Sequence, residues 1–178
     1  MAIERPPGGR LARFDGVFLR ANRALLILLL GAMALMVFAN VVLRFLTSHS
    51  ILWVEEVSRY AMIWLTFLGA GLVLRHGGHI GIDTLQTQLP RWAPKIRATI
   101  FVLALGFCMF MAWIGARYAT LTWNQTTPVL QIPVGFVYLA VPAGFLLLTM
   151  HLLLMAAPYI HRNEFVVDAE FDPDAAKL

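Results

Sequence analysis

Residues 53–60 read Trp-Val-Glu-Glu-Val-Ser-Arg-Tyr, and they open the second of four long apolar segments in this chain of 178 residues. The octet brings two carboxylates and one guanidinium, those of Glu55, Glu56 and Arg59, within about one helical turn. Charge at the mouth of a segment that belongs in lipid is costly unless it is paired, reaches the interface or is buried against a partner. The stretch therefore predicts an integral membrane protein with a polar cluster at one membrane face.

The composition agrees with a membrane location. The chain is 60% hydrophobic and 13% charged, whereas an ordinary soluble domain is roughly 45–50% apolar and 25% charged. The formal net charge of +4 comes from basic residues at the ends of the apolar segments, which indicates membrane orientation and argues against a nucleic-acid partner. A single cysteine, Cys108, excludes an intrachain disulfide. Too few residues remain outside the segments for a separate catalytic domain, so we expect no enzyme.

Four transmembrane helices are predicted, at about residues 24–43, 52–74, 96–116 and 134–159. A helix of about 20 apolar residues crosses a hydrocarbon core of roughly 30 Å. We interpret the first run as an uncleaved helix, because it is longer than the roughly 7–15 apolar residues of a signal peptide. Pro142 lies inside the fourth run and predicts a kink there. The expected fold is therefore an all-α membrane protein.

Basic residues predict the orientation of these spans, because Lys and Arg concentrate in short cytoplasmic loops. They cluster before the first span and between the second and third, at Arg5, Arg10, Arg13, Arg20, Arg23, Arg75, Arg91, Lys95 and Arg97. The opposite side carries Arg44, Arg59 and Arg117. We expect both termini in the cytoplasm, with a basic N-terminus at 1–23, a four-helix transmembrane domain at 24–160 and an acidic tail at 161–178.

The loop between the second and third spans has a helical pattern of its own. Apolar residues recur at spacings of three and four, at Ile82, Leu85, Leu89, Trp92 and Ile96. This pattern predicts a short amphipathic helix that lies in the membrane interface with its apolar face toward lipid. The alternative is a connecting turn in which the spacing arises by chance.

The charges of the opening octet have two interpretations. Glu55 and Arg59 stand at i,i+4, Glu56 and Arg59 at i,i+3, so both pairs share a helix face. Arg44, at the outer end of the first span, could reach the same cluster. One interpretation is a site for a substrate, an ion or a proton. The other, which we favour, is an ion-pair knot that ties two helices together and docks a partner subunit.

A second polar stretch lies at the inner end of the second span, where Arg75 is followed by His79 and Asp83. Histidine ligates metals and haem, but the sequence offers no third ligand clearly in register. A helix C-terminal cap, with Arg75 near the negative end of the helix dipole, explains most of the pattern. We therefore expect neither a metal nor a cofactor here.

Two residues inside the spans suggest helix packing. Gly69 lies in a run of small residues that would allow another helix to approach closely. His151 lies inside the fourth span, where a single histidine is more often hydrogen-bonded across helices than bound to a cofactor.

An ordered set of residues across the four spans resembles a known family, the DctQ-like small integral-membrane subunits of tripartite ATP-independent periplasmic (TRAP) transporters. The set comprises Asn40, Arg44, Trp53, Glu55, Glu56, Arg59, Trp64, Gly69, Arg75, His79, Asp83, Thr127, Pro128, Gln131, Pro133, Tyr138, Pro142 and Gly144. The resemblance covers the chain from Leu25 to about Tyr159 and leaves out the acidic tail.

The resemblance implies a role in transport. Members of this family pair with a large multi-spanning membrane subunit and a periplasmic substrate-binding protein in the bacterial inner membrane. The complex imports organic acids, driven by a sodium gradient, and the large subunit carries the ions and the substrate. The small subunit is implied to be a scaffold that holds the large one in the bilayer and helps the binding protein to dock.

Two other classes of protein stay open at this point. A four-helix cytochrome b-type anchor of a redox enzyme would need two histidines facing one haem, whereas His49 and His79 fall at opposite faces and His151 has no evident partner at its depth. A small exporter that works as a dimer would need a carboxylate deep in a span, and Glu55 and Glu56 stand at the rim.

Overall fold

The computed structural model describes residues 10–75 and 93–162, and side chains within 14–75 and 95–156. The described residues form five helices: α1 (Arg10–Thr47), α2 (Leu52–Arg75), α3 (Ala93–Leu121), α4 (Gly135–Tyr138) and α5 (Ala140–Arg162). By length and composition, four helical segments are able to cross a membrane: Phe14–Thr47, Leu52–Arg75, Lys95–Leu121 and Gly135–Ala156. The predicted all-α fold with four membrane-spanning helices is confirmed.

Some predictions fall outside this range. His79, Asp83 and most of the amphipathic pattern between the second and third spans lie outside the described residues, as does the acidic tail. The interfacial helix therefore stays a prediction.

The first helix is longer than the hydropathy pattern predicts. Its 38 residues extend for about 57 Å at the helical rise, almost twice the thickness of the hydrocarbon core. The apolar run begins at residue 24, but the helix continues toward the N-terminus through Arg20, whose Nε donates a hydrogen bond to the carbonyl oxygen of Gly16 at 3.1 Å. Polar side chains that precede the predicted span thus belong to the same helix.

The long helices pack side by side in the order α1, α2, α5, α3. The principal packing contacts join α1 to α2, α2 to α5 and α5 to α3, which leaves α1 and α3 at the two ends. Only 6% of the most apolar window of α1 is buried, against 39% in the fourth span. The central core comprises Leu74, Phe101, Cys108, Leu152 and Met155. Most of the apolar surface of α1 is therefore available to lipid or to a partner.

Two glycines allow close helix contacts. A Cβ added to Gly144 on α5 would lie 2.6 Å from the Cβ of Phe67 on α2, and one added to Gly71 would lie 2.3 Å from Cδ2 of His151. At Gly69, by contrast, an added Cβ would meet only Leu26 at 3.9 Å, an ordinary contact. Within the run of small residues predicted to allow close approach, the close contact is made by Gly71, on the face of α2 that points toward α5.

The fourth span is interrupted as Pro142 predicts. The interruption separates α4 from α5 at Leu139. Proline at position 142 lacks the N–H that would bond to the carbonyl of Tyr138, and its ring collides with that carbonyl in a regular helix. Helical hydrogen bonds between the backbone groups continue on either side of this gap. The N–H of Leu139 donates to the carbonyl oxygen of Gly135 at 2.9 Å, and the N–H of Ala143 donates to that of Leu139 at 3.1 Å.

Candidate functional site

Asn40 fixes the connection between α1 and α2. The backbone N–H of Ile51 donates to its Oδ1 at 2.7 Å, and its Nδ2 donates to the carbonyl oxygen of Ile51 at 3.4 Å. The chain reverses here through Ser48, which has a φ of 58°. Asn40 is buried, and its amide satisfies backbone groups that lipid cannot satisfy. Asn40, the main polar residue of the first apolar run, thus holds the backbone of Ile51 at the position from which α2 begins.

Glu56 anchors the loop that connects α3 to α4. Its Oε2 accepts hydrogen bonds from the backbone N–H of Val129 at 2.8 Å and of Leu130 at 3.2 Å. Its Oε1 accepts one from the hydroxyl of Tyr60 at 2.9 Å. Hydrogen bonds to an ionised carboxylate are stronger than those between neutral groups. The buried side chain of Glu56 therefore joins α2 to residues more than 70 positions later in the chain.

The loop itself is shaped to present these donors. Thr127 is 1% exposed, its N–H donates to Ile132 O at 2.9 Å, and its Oγ1 accepts from the N–H of Ile132 at 3.3 Å. Gln131 adopts a φ of 54°, in the left-handed region. The turn points two successive N–H groups in one direction, the arrangement that binds anions in protein nests. Here the anion is the carboxylate of Glu56.

The structure differs from the predicted ion-pair knot. Among the described residues, neither Glu55 nor Glu56 forms a salt bridge with Arg59. Both oxygens of Glu56 are occupied by the loop and by Tyr60, and the side chains of Glu55 and Arg59 are exposed on α2. The spacing is right for Glu55 and Arg59, which share an exposed face, and wrong for Glu56, whose buried carboxylate binds loop donors from residues far along the chain.

The exposed charges lie beside the α1–α2 connection. Arg44 and Glu55 line one shallow depression together with Val37, Asn40, Val41, Ser50 and Val54. Trp53 is half exposed at the start of α2. The structure thus brings Asn40, Arg44 and Glu55 together, whereas Gly69 and Arg75 lie farther along α2.

A second polar cluster joins α1, α2 and α5 near the other end of the bundle. Arg75 is 1% exposed. Its Nε donates to Nδ1 of His151 at 2.6 Å, and its guanidinium forms an ion pair with Asp15. Arg75 ends α2 as predicted and its side chain belongs to a buried network, whereas the residues that would complete the predicted cap lie outside the described range. The predicted hydrogen bond of His151 across helices is confirmed.

The donors and acceptors of this network determine which ring nitrogen of His151 carries the proton. Because the guanidinium of Arg75 has only donors, Nδ1 of His151 must be the acceptor, and in a neutral ring Nε2 then carries the proton. The side-chain amide of Asn22 lies 3.2 Å from Nε2, and its Oδ1 has no other partner in the structure. We assign the amide with Oδ1 facing Nε2, so that His151 donates to Asn22, and this orientation replaces the 3.4 Å contact of the amide nitrogen with the carbonyl oxygen of Leu68. Both ring nitrogens are then engaged.

This environment does not favour haem ligation by His151. Besides the two hydrogen bonds, the ring packs against Phe18 with centroids 4.8 Å apart and against the backbone of Gly71. His49 lies in the α1–α2 connection, exposed. Within 10–75 and 93–162, no group of three or more His, Cys, Asp and Glu side chains is arranged to hold a metal ion.

Sequence reasoning missed Asp15 and Asn22. Both precede the predicted first span and lie among arginines that mark a basic terminus. A usable signal is their spacing: Asp15, Phe18 and Asn22 recur at three and four residues and so share one face of a helix that continues into the span. Extending the helix by ten residues would have placed a carboxylate at the depth of Arg75.

Comparison with known proteins identifies a family that matches most of this chain. Residues 33–160 match the family model described as tripartite ATP-independent periplasmic transporters, DctQ component. A putative TRAP transporter small permease protein of Haemophilus influenzae is 37% identical over 133 residues, which cover 70% of this chain and 81% of that protein.

Two further relatives have more specific names. The ectoine TRAP transporter small permease protein TeaB of Halomonas elongata is 30% identical over 153 residues, covering 83% of this chain and 78% of that protein. The isethionate TRAP transporter permease protein DctMQ of Oleidesulfovibrio alaskensis is 27% identical over 158 residues, covering 85% of this chain and 25% of that protein.

Proposed function

This chain belongs to the DctQ component family and is the small permease subunit of a TRAP transporter, and we propose that it acts there as a scaffold. It is a component of a transporter rather than an enzyme. As a scaffold it holds the large membrane subunit in the bilayer and supports the docking of a periplasmic substrate-binding protein.

The bonding of Glu56 is the observation that carries this proposal. A residue that binds a transported cation or proton needs a carboxylate free to exchange partners along a pathway. Glu56 instead accepts hydrogen bonds on both oxygens, from two backbone amides and one phenol. The arrangement supports a fixed structural part, and it agrees with a transport path located in another subunit.

The loop held by Glu56 supports a docking role. Around Thr127 and Gln131 it presents Val129, 47% exposed, and Ile132, 37% exposed, on a backbone fixed by its own hydrogen bonds. We place this loop in the periplasm of a bacterial inner membrane, with both chain termini cytoplasmic, because the basic residues concentrate at the opposite ends of the spans. A rigid, partly apolar loop on that side offers a surface to a soluble protein.

The proposed transport reaction is sodium-driven uptake of an organic acid. The relatives named above are specified for ectoine in one case and isethionate in another. Because proteins about 30% identical to this chain serve different substrates, we assign substrate choice to the other two components. The name of the DctMQ relative, of which this chain matches a quarter, supports association of the small subunit with a larger permease part.

The proposal is tested by co-expression of the three components and reconstitution. A tag on this chain is expected to recover the large membrane subunit from detergent, and proteoliposomes with both subunits are expected to take up an organic acid only with a sodium gradient and the binding protein. Proteoliposomes with the large subunit alone are the matched control. Full sodium-driven uptake by that control, or by this chain alone, would refute the scaffold role.

A further inference from the structure

One exposed face of α2 carries two charged residues and a threonine among apolar side chains. Glu55, Arg59, Met62, Thr66 and Val73 recur at intervals close to the helical period and are all exposed; we call them the α2 stripe. Thr66 lies about 21 Å along the axis from the start of the helix and Arg59 about 10 Å. The stripe therefore continues from the membrane interface to the middle of the hydrocarbon core.

The charged side chains of the stripe form no salt bridge within the described part of the chain. No carboxylate there lies within salt-bridge distance of Arg59, and no basic group does so for Glu55. A guanidinium about two turns inside a span is costly in lipid unless it reaches the interface, and such residues normally face another protein segment or a water-filled space. The exposed face of α5 offers a contrast, because its exposed side chains, Leu146 and Leu153, are apolar.

The stripe continues onto α1 through the depression at the outer end of the helices. Val37, Val41 and Arg44 line this depression on the α1 side, and Val54 and Glu55 line it on the α2 side. Arg44 and Arg59 carry two positive charges and Glu55 one negative charge, so the surface has a net charge of +1. An apolar groove with a net positive outer end complements a membrane helix that carries a carboxylate near its own outer end.

We propose that the α2 stripe and the adjacent groove on α1 bind a transmembrane helix of the large subunit, and that this helix carries an acidic side chain within about three turns of its periplasmic end. The inference rests on the proposed function, since it identifies the surface by which the scaffold binds its partner. The apolar exposed face of α5 then faces lipid. Arg59 pairs with the partner's carboxylate, and the small side chain of Thr66 allows close approach at mid-membrane.

Tryptophan substitution tests the position of the surface. Met62→Trp and Thr66→Trp place a bulky ring in the proposed contact, and Leu146→Trp on α5 and Leu103→Trp on α3 are matched controls at exposed positions. Recovery of the large subunit with tagged chain is expected to fall about tenfold or more for the first pair and to stay within about twofold for the controls. The opposite pattern, or equal recovery for all four variants, would overturn the inference.

Charge exchange tests the chemistry of the partner. Arg59→Glu is expected to reduce recovery of the large subunit, and replacing the facing carboxylate of that subunit by arginine is expected to restore it. If Arg59 served an anionic lipid instead, Arg59→Glu would keep the large subunit and lose bound phospholipid, and that result would also overturn the inference. Failure of the unsubstituted chain to recover the large subunit would refute the proposed function itself; normal recovery with no effect of these variants would refute only the surface.

Discussion

The backbone N–H of Val129 donates a 2.8 Å hydrogen bond to the carboxylate of Glu56, although the two residues are 73 positions apart in the chain. The bond joins the start of α2 to the loop before the broken fourth span. The carboxylate of Glu56 therefore holds the loop in place. Because its oxygens are engaged in these hydrogen bonds, they are not free to bind an ion.

The first prediction concerns that loop. Glu56→Gln removes the negative charge that strengthens the two bonds to the loop, and its new amide nitrogen can only donate, so the Tyr60 hydroxyl must become the acceptor. We expect faster hydrogen exchange at the amides of Val129 and Leu130 in the purified complex. Glu55→Gln is the matched control, because the neighbouring carboxylate is exposed and makes no bond to the loop. Equal protection of these amides in both variants would contradict the anchor.

The second prediction concerns the buried network at the other end of α2. Arg75→Met leaves Asp15 without its counter-charge and Nδ1 of His151 without its donor. Breaking a buried ion pair in this way costs about 3–5 kcal/mol, with the lower value expected here because water reaches Asp15. The measurement is thermal unfolding in detergent, with Arg20→Met as a control at an exposed arginine. A melting temperature that is the same in both variants would argue against the network.

The third prediction uses a pair of glycines on one helix. Gly71→Ala places a methyl group 2.3 Å from the ring of His151, whereas Gly69→Ala meets only ordinary contacts at 3.9 Å. Overpacking of this kind costs about 1–3 kcal/mol, while alanine in an open helical position is neutral or slightly stabilising. The free energy of unfolding should therefore be lower for Gly71→Ala than for Gly69→Ala. When His151 is already replaced by alanine, adding Gly71→Ala should lower the free energy of unfolding much less. No separation would mean that the ring does not lie against Gly71.

The fourth prediction concerns orientation. Alkaline phosphatase fused after Trp123 should be active, and the same reporter at the C-terminus should be inactive, because the basic residues place the α3–α4 loop outside and the termini inside. A cytoplasmic reporter at the same two positions should give the reverse pattern. Phosphatase activity from the C-terminal fusion would contradict this topology.

The spans and the break at Pro142 could be predicted because they depend on local properties, apolar length and a missing N–H. The partners of Glu56 and Arg75 could not, because they are set by contacts between residues 60 to 76 positions apart. The apolar run also underestimates the length of the first helix: Asp15 and Asn22 lower the local hydropathy, yet in the folded chain Asp15 pairs with Arg75 on α2 and Asn22 bonds to His151 on α5. Polar residues near a span's end are therefore read correctly only once the neighbouring helix is known.

The central claim is that this subunit is a scaffold and that its carboxylates do not carry the coupling ion. The most direct test is the sodium-to-substrate stoichiometry of proteoliposomes that contain the complex with Glu56→Gln, normalised to the amount of assembled complex. The account predicts less assembled complex with an unchanged stoichiometry, because both carboxylate oxygens of Glu56 are engaged by the loop and by Tyr60. Normal assembly with an altered sodium stoichiometry would contradict it and assign Glu56 to the ion path.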